Sequence, residues 1–169
     1  MINYLILRIQ KDTKLKKDVK ICMRLVILGS GGYGRTLFDI AEQIGYNQIV
    51  VLDDKDSEYP LSSFEQYIND KTEFIVAFGN NEFRLSWCKK ITSVGGTLAT
   101  LIHPAAYVSP KTTIGSGTVI LPRAIVNTGT VIHQGCIINL GAIIDHDCVI
   151  EEGVHICLGA IVKGENQIE

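Results

Sequence analysis

The sequence predicts two units in series: an α/β domain built on a parallel sheet, then an all-β domain wound as a parallel β-helix. Three observations carry the prediction. An apolar run enters a glycine turn that opens a helical pattern, the arrangement used by nucleotide-binding α/β units. Ile or Val recurs at every sixth position from Val108 to Ile168. Between these two regions, at His103-Pro104, the composition shifts towards small and β-branched residues.

The α/β reading takes the elements in order. Residues 24–28 form a short continuous apolar run, suited to a parallel strand covered on both faces. A helical stretch follows, with Leu37, Ile40, Ala41 and Ile44 on one face and Gly45 closing it. A second strand over 48–52 ends in Asp53-Asp54, and a third over 74–78 ends in Gly79-Asn80-Asn81. A helix over 82–92 follows, and Gly95-Gly96 leads into a last strand over 98–102. Alternating strands and helices with short links imply a parallel, Rossmann-like sheet. The domains are therefore expected over 23–103 and 104–169.

Gly29, Gly31 and Gly34 give the spacing GxGxxG between strand and helix, and Asp53 ends the second strand about twenty residues on. Such glycines let backbone N–H groups approach a pyrophosphate at a helix N-terminus, where the dipole favours anions. A carboxylate at the second strand's end can accept hydrogen bonds from a ribose or base. Residues 24–102 supply about four strands where a complete dinucleotide fold needs roughly six. A mononucleotide or nucleotide sugar is thus favoured over NAD, and a small dehydrogenase rests on the glycines alone. A tight turn with no ligand is the plain alternative.

In the second region the periodic residues are Val108, Ile114, Ile120, Val126, Ile132, Ile138, Ile144, Ile150, Ile156, Val162 and Ile168. Two positions before them stand mostly small residues: Thr118, Ala124, Thr130, Cys136, Ala142, Cys148 and Ala160. Three hexapeptides to a coil, each pointing an aliphatic residue into a triangular prism, account for both series, and roughly three and a half coils fit. An antiparallel domain would instead alternate with period two. The chain stops in mid-repeat at Glu169, so the expectation is a truncated prism or one covered by another element.

The 169 residues carry a net charge of −2, with 46% hydrophobic residues. Residues 1–20 hold six Lys/Arg against two acids, leaving ten against sixteen in the remainder. That acidic body argues against a nucleic-acid groove. Residues 1–22 lack the order of a secretory signal and read as a disordered extension. No apolar run is long enough for a membrane span. Five cysteines without CxxC spacing suit the reduced thiols of the cytoplasm.

Ionisable residues are sparse in the repeat, which isolates Asp145-His146-Asp147 and His155. A histidine flanked by carboxylates has the near-neutral pKa and the orienting partner that a general base needs. His146 is the second residue after an inward aliphatic and should project outward towards a neighbour. A solvated turn histidine with incidental acids is the other reading. His133, His146 and His155 are thirteen and nine residues apart, not the short separations of zinc ligands, so no metal is expected.

The order Gly-Ser-Gly-Gly-Tyr-Gly, Leu52-Asp53-Asp54, Phe78-Gly79-Asn80-Asn81, His103-Pro104, hexapeptides, then Ile144-Asp145-His146-Asp147-Cys148-Val149-Ile150 resembles the NeuD/PglD-type sugar acetyltransferases. The resemblance implies a homotrimer of left-handed β-helices with acetyl-CoA held between adjacent prisms. It implies a bacterial glycan enzyme whose acceptor is a UDP-linked 4-amino sugar, with sialic acid O-acetylation as the other branch. By motif, His146 would be the base and Asp147 its partner carboxylate. His155 would lie at the acetyl end of acetyl-CoA, and Gly31, Gly32, Tyr33, Asp53, Asp54 and Asn80 would line the nucleotide-sugar pocket. Tyr33 stands where many members carry His. The family also continues for several more coils, so a truncated, non-catalytic nucleotide-sugar-binding trimer is the second reading.

Overall fold

The computed structural model describes residues 23–55 and 58–169; the extension expected over 1–22 lies outside the described residues. Four parallel strands, β1 (Arg24–Leu28), β2 (Gln48–Leu52), β3 (Thr72–Val76) and β4 (Thr97–Leu98), form an open sheet in the order β2-β1-β3-β4. Helix α1 (Gly32–Gln43) follows β1, a 3-10 segment (Leu61–Tyr67) precedes β3, and α2 (Asn81–Ser93) follows it. Because successive side chains of a strand point to opposite faces, β1 divides the core in two. Leu25 and Ile27 pack with Leu37, Ile40 and Ala41 of α1. Val26 and Leu28 pack with Phe64 of the 3-10 segment and Cys88 and Ile91 of α2. The continuous apolar run over 25–28 is thus fully covered, with no side chain exposed.

The strand expected over 98–102 is two strands. Its first part, β4, stays in the open sheet, and Leu101–Ile102 (β5) already belongs to the β-helix, where it pairs with Val119–Ile120. Ala99 is the joint: its N–H donates to the Phe74 carbonyl of β3 at 2.8 Å, and its carbonyl accepts from the Gly117 N–H at 3.0 Å. The seam therefore lies four to five residues before the 103/104 boundary. Ile102, six positions before Val108, is in phase with the hexad series and carries that signal.

From β5 onward two-residue strands recur every six residues: β6 (Tyr107–Val108), β7 (Thr113–Ile114), β8 (Val119–Ile120), β9 (Ile125–Val126), β10 (Val131–Ile132), β11 (Ile137–Ile138), β12 (Ile143–Ile144), β13 (Val149–Ile150), β14 (His155–Ile156), β15 (Ile161–Val162) and β16 (Gln167–Ile168). They stack into three parallel sheets, β5-β8-β11-β14, β6-β9-β12-β15 and β7-β10-β13-β16, each strand pairing with the one eighteen residues on. These are the three sides of a prism, called here the first, second and third side. The hexad aliphatics and the small residues before them fill the interior. Cys136 and Cys148 are buried there, and their thiols point at the Glu151 and Lys163 carbonyls at 3.0 and 3.1 Å. Burial pushes the Cys136 thiol up to about 11, consistent with an inert interior residue.

The first side carries the α/β domain. Its outward residues Leu101, Val119 and Ile137 enter the same core as α1. Helix α2 lies along the adjoining corner, over the stacked glycines 117, 135 and 153: Cys88 and Leu98 face Gly117, Cys88 and Leu85 face Gly135, and Leu85 and the Asn81 carbonyl face Gly153.

Candidate functional site

The sheet order places a switch point between β1 and β3, whose chains leave in opposite directions to β2 and β4 and open a crevice at the strands' carboxyl ends. The glycine turn after β1 and the segment Ala77 to Asn80 after β3 form its rim. The glycines divide by physical role. A β-carbon on Gly34 would overlap the Gly29 carbonyl oxygen, so Gly34 permits close packing of α1 on the turn. Gly29, at φ 112°, is required by the backbone. Gly31 and Gly79 have, among the described residues, nothing within 4 Å of where a β-carbon would be and no left-handed backbone; neither packing nor conformation among those residues demands glycine there. Their open faces leave room for a ligand's close approach to the backbone.

Helix α1 begins without a side-chain cap or an acid in its first turn, and its first intrahelical bond is Arg35 N–H to the Gly31 carbonyl at 3.0 Å. The N–H groups of Gly32, Tyr33 and Gly34 are left to face the crevice. By contrast, the N-terminus of α2 is occupied: Asn80 Oδ1 accepts the Phe83 N–H at 2.8 Å, and Glu82 sits in the first turn. An anionic group is therefore favoured at α1 and not at α2.

The other expected crevice residues are placed as follows. Asp53 braces the turn: its Oδ2 accepts from both the N–H and the hydroxyl of Ser30 at 2.7 Å, and its Oδ1 from the Lys55 N–H at 3.0 Å. The two backbone bonds and the Ser30 hydroxyl hold its carboxyl below the ordinary range. Asp54 Oδ1 accepts the Leu61 N–H at 2.9 Å and anchors the 3-10 segment. Tyr33 packs its ring on the α1 core, and its hydroxyl is buried without a hydrogen-bond partner among the described residues. Burial raises the Tyr33 hydroxyl far above its usual range, so it stays protonated.

Arg84 is a residue the sequence reading missed. It is buried, with no carboxylate paired to it among the described residues, and its donors go to oxygens on three segments. Nη1 donates to the Phe78 and Gly79 carbonyls at 2.9 and 3.3 Å. Nη2 donates to Asn81 Oδ1 at 2.9 Å and the Gly153 carbonyl at 2.5 Å, and Nε to the Gly135 carbonyl at 2.8 Å. The fork thereby ties the crevice rim to two coils of the β-helix.

The His146 centre is built on a prism corner. Every sixth residue from 117 to 165 has positive φ, and most are glycine. Asp147 occupies one such place at φ 55°, a conformation Asp tolerates better than most side chains. This turns its Oδ2 towards His146 Nδ1, 3.0 Å away. A carboxylate only accepts, so Nδ1 carries the proton and Nε2 presents a lone pair, with no protein partner among the described residues. Two glycines in neighbouring coils make room. A β-carbon on Gly129 would run into Asp147 Oδ1, and one on Gly164 would stand 2.8 Å from His146 Cε1 and Nε2.

Asp145 completes the centre from below. Its Oδ1 accepts the His146 N–H at 2.8 Å and Asn127 Nδ2 at 2.9 Å. The Asp147 hydrogen bond, then the Asp145 charge, raises the His146 pKa above its usual 6.5. The Asn127 bond and the His146 N–H lower that of Asp145.

His155 lies elsewhere. It is the fourth outward residue of the first side, next to Ile137, whereas His146 sits at the corner between the second and third sides. That corner faces away from the first side, so one chain does not bring the two histidines together. His155 is instead a neighbour of Gly153, where the start of α2 docks, and so stands near the crevice rim. Its Nε2 meets Asn139 Nδ2 at 2.8 Å. Among the described residues no group of three His, Cys, Asp or Glu is placed to hold a metal ion, and no helix is long and apolar enough to cross a membrane.

Comparison with known proteins agrees with both halves. Residues 24–91 match the family model of the PglD N-terminal domain. The acetyltransferase domain of PglB from Neisseria gonorrhoeae, in complex with acetyl coenzyme A, superposes with a TM-score of 0.80 at 34% identity, over 86% of this chain and 75% of that one. The chain belongs to the NeuD/PglD-type sugar acetyltransferase family. Another member of that likeness is a histidine-to-alanine mutant of GDP-perosamine N-acetyltransferase from Caulobacter crescentus, in complex with CoA and GDP-perosamine. It superposes with a TM-score of 0.77 at 25% identity, over 83% of this chain and 71% of that one. UDP-N-acetylbacillosamine N-acetyltransferase of Bacillus subtilis is 30% identical over 109 residues, 57% of this chain. The chain spans about half the length of that curated relative, 50%.

Arg84, Asn127, Asn139 and Gly164 escaped the sequence reading. Asn127, Asn139 and Asp145 each follow a hexad aliphatic, and Gly164 is one coil of eighteen residues beyond His146, so the period itself held the signal for these. Nothing comparable marks Arg84, which becomes visible only when α2 is laid on the prism.

Proposed function

We propose that this chain is an acetyl-CoA-dependent N-acetyltransferase of a nucleotide-linked amino sugar in bacterial glycan biosynthesis, with a UDP-4-amino sugar as acceptor and the cytoplasm as its compartment. The observation that carries the reading is the His146–Asp147 pair, which leaves an imidazole lone pair exposed and oriented. The diphosphate would lie against the Gly32, Tyr33 and Gly34 N–H groups, with Gly31, Asp53, Asp54 and Asn80 around it. The known binding of acetyl coenzyme A by the gonococcal domain and of GDP-perosamine by the perosamine enzyme supports both substrate classes.

Acetyl-CoA, when bound, supplies an activated thioester, so no covalent enzyme intermediate is needed. His146 Nε2 takes the proton from the attacking nitrogen as the new N–C bond forms. Asp147 keeps Nδ1 protonated and stabilises the imidazolium, which returns the proton to the departing thiolate. The exposed Leu140 and Leu158, at the corner beside His155, suit the pantetheine arm.

The same reading makes the assembly a trimer of left-handed prisms. Tyr107, Ile125 and Ile161 form an exposed apolar ladder on the second side, with Ile143 between them. Turning that side towards a threefold axis brings the His146 corner of one chain against the Leu140–Leu158 corner of its neighbour, with His155 close by. Two histidines that one chain keeps apart would then share a site.

The test is mass spectrometry of a UDP-4-amino sugar incubated with the chain and acetyl-CoA. A gain of one acetyl group that His146→Ala abolishes is the expected result. An unchanged substrate, with UDP and acetyl-CoA both bound, overturns the acceptor assignment. UDP binding without acetyl-CoA binding favours a non-catalytic nucleotide-sugar-binding trimer, and acetylation of sialic acid the O-acetylating branch.

A further inference from the structure

Four aromatic rings run in contact from the glycine turn along one flank of α2, and one of them is open to solvent. Phe78 begins the series: its Cε1 lies 3.0 Å from where a β-carbon on Gly29 would stand. Phe83 lies against it, ring centroids 4.8 Å apart and planes tilted by 50°. Trp87 meets Phe83 edge-on at 6.4 Å, and Phe64 meets Trp87 edge-on at 5.5 Å. Phe64 is buried, Phe78 and Trp87 are half-buried, and Phe83 is 48% exposed. The backbone under Phe83 is held by Asn80 Oδ1, which accepts its N–H in the first turn of α2.

The two flanks of α2 do different work. Asn81, Arg84, Leu85 and Cys88 meet the glycine corner of the prism. Phe83 and Trp87, four residues apart, lie together on the other flank. The start of α1 is open and favours an anion, whereas the start of α2 is capped by Asn80 and carries Glu82. The group that suits the exposed ring beside it is therefore neutral and flat. A nucleotide sugar offers both parts, an anionic diphosphate and a neutral planar base. Its amino group has to reach imidazoles that the prism carries, so the sugar end leaves on the prism flank of α2 and the base on the other. We propose that the exposed ring of Phe83 is the stacking platform for the nucleobase of the acceptor, and that it decides which end of the nucleotide sugar turns to the prism. The inference rests on the nucleotide-sugar reading for the identity of the ligand. Stacking on a ring face reads no hydrogen-bonding edge, so the platform accepts guanine as well as uracil.

Trp87 is the only tryptophan in the chain and touches Phe83, so its fluorescence reports on the platform. The experiment titrates the full chain, unaltered and as Phe83→Ala and Phe83→Tyr, with UDP, GDP and inorganic pyrophosphate, read by Trp87 fluorescence and by calorimetry. UDP should quench Trp87, and pyrophosphate should not. Phe83→Ala should raise the Kd for UDP and GDP by ~10- to 100-fold and leave that for pyrophosphate unchanged. Phe83→Tyr keeps the ring and should bind both nucleotides nearly as the parent does. Unchanged nucleotide affinity in Phe83→Ala, or an equal loss for pyrophosphate, overturns the proposal. So does a loss seen with the UDP-4-amino sugar that UDP alone does not share, because the sugar then covers the ring. Binding of GDP but not UDP, with the expected dependence on Phe83, overturns the UDP-sugar assignment and leaves the platform standing. Absent acetyl transfer with the binding pattern intact overturns the acetyltransferase reading alone.

Discussion

Gly164 lies beneath the imidazole of His146, one coil further along the prism, and the ring fills the space a side chain would take. Gly164 has no left-handed backbone requirement of its own, so its lack of a side chain serves the ring and not the turn. Gly164→Ala should therefore fold with a Tm close to that of the parent. It should displace the proposed base and lower kcat roughly 10- to 100-fold, since small misplacements of a catalytic group are costly. Steady-state kinetics and a melting curve on the same preparation check both halves.

In the proposed mechanism His146 would act as a base only when neutral, and its pKa is raised, first by the Asp147 hydrogen bond and then by Asp145. The rate should accordingly rise with pH through an inflection above 6.5, the usual imidazole value. Asp147→Asn accepts the same backbone conformation but removes the charge, so the inflection should move down towards that value while kcat falls. His146→Ala should lower kcat by ~10²–10⁴-fold with acceptor affinity nearly unchanged. A pH–rate series on the three proteins reads all of this; an inflection that does not move in Asp147→Asn contradicts the assignment.

Arg84→Met keeps the bulk of the side chain and strands the Gly135, Gly153 and Phe78 carbonyls without a donor. Unpaired buried groups of this kind should cost about 3 kcal/mol or more in total. For a chain of this size that corresponds to a Tm lower by roughly 6–12 °C. Because the fork also holds the crevice rim, nucleotide-sugar affinity should weaken in the same variant. Calorimetric melting together with a UDP titration measures the two effects.

Gly31 and Gly34 stand three residues apart and should respond in opposite ways. Gly34→Ala forces a methyl group into the Gly29 carbonyl oxygen and should destabilise the α/β domain outright. Gly31→Ala meets open space and should leave the melting curve alone while abolishing detectable UDP binding. A Gly31→Ala protein that still binds UDP normally would remove the crevice from the argument.

The period of six made the prism legible, because each in-phase aliphatic enters one interior and the register admits no slip. β2 matched its expected range, and the glycine turn and the His146–Asp147 pair were legible from local chemistry that the neighbouring elements do not override. The seam was misplaced because Leu98 and Leu101 are both apolar, and only the pairing partner of each, Phe74 or Val119, tells them apart. Asp53 and Asp54 show the limit of motif reasoning. Spacing put carboxylates at the crevice, while the bonds that give them structural work go to Ser30, an unspecified position of the GxGxxG spacing, and to Leu61, outside any motif. Arg84 shows it again, since its five acceptors come from segments up to sixty-nine residues away.

The half-coil offset between His146 and His155 has a genetic consequence. If neighbouring chains share a site, an inactive His146 variant and an inactive His155 variant are not equivalent lesions, because each leaves intact what the other lacks. Co-expressed, they should complement: mixed assemblies contain some junctions where both imidazoles are present, and activity should reappear although each variant alone has none. Expressed with the unaltered chain, either variant should be recessive, because an inserted subunit costs only the junction that its own missing imidazole would have served and leaves the others working.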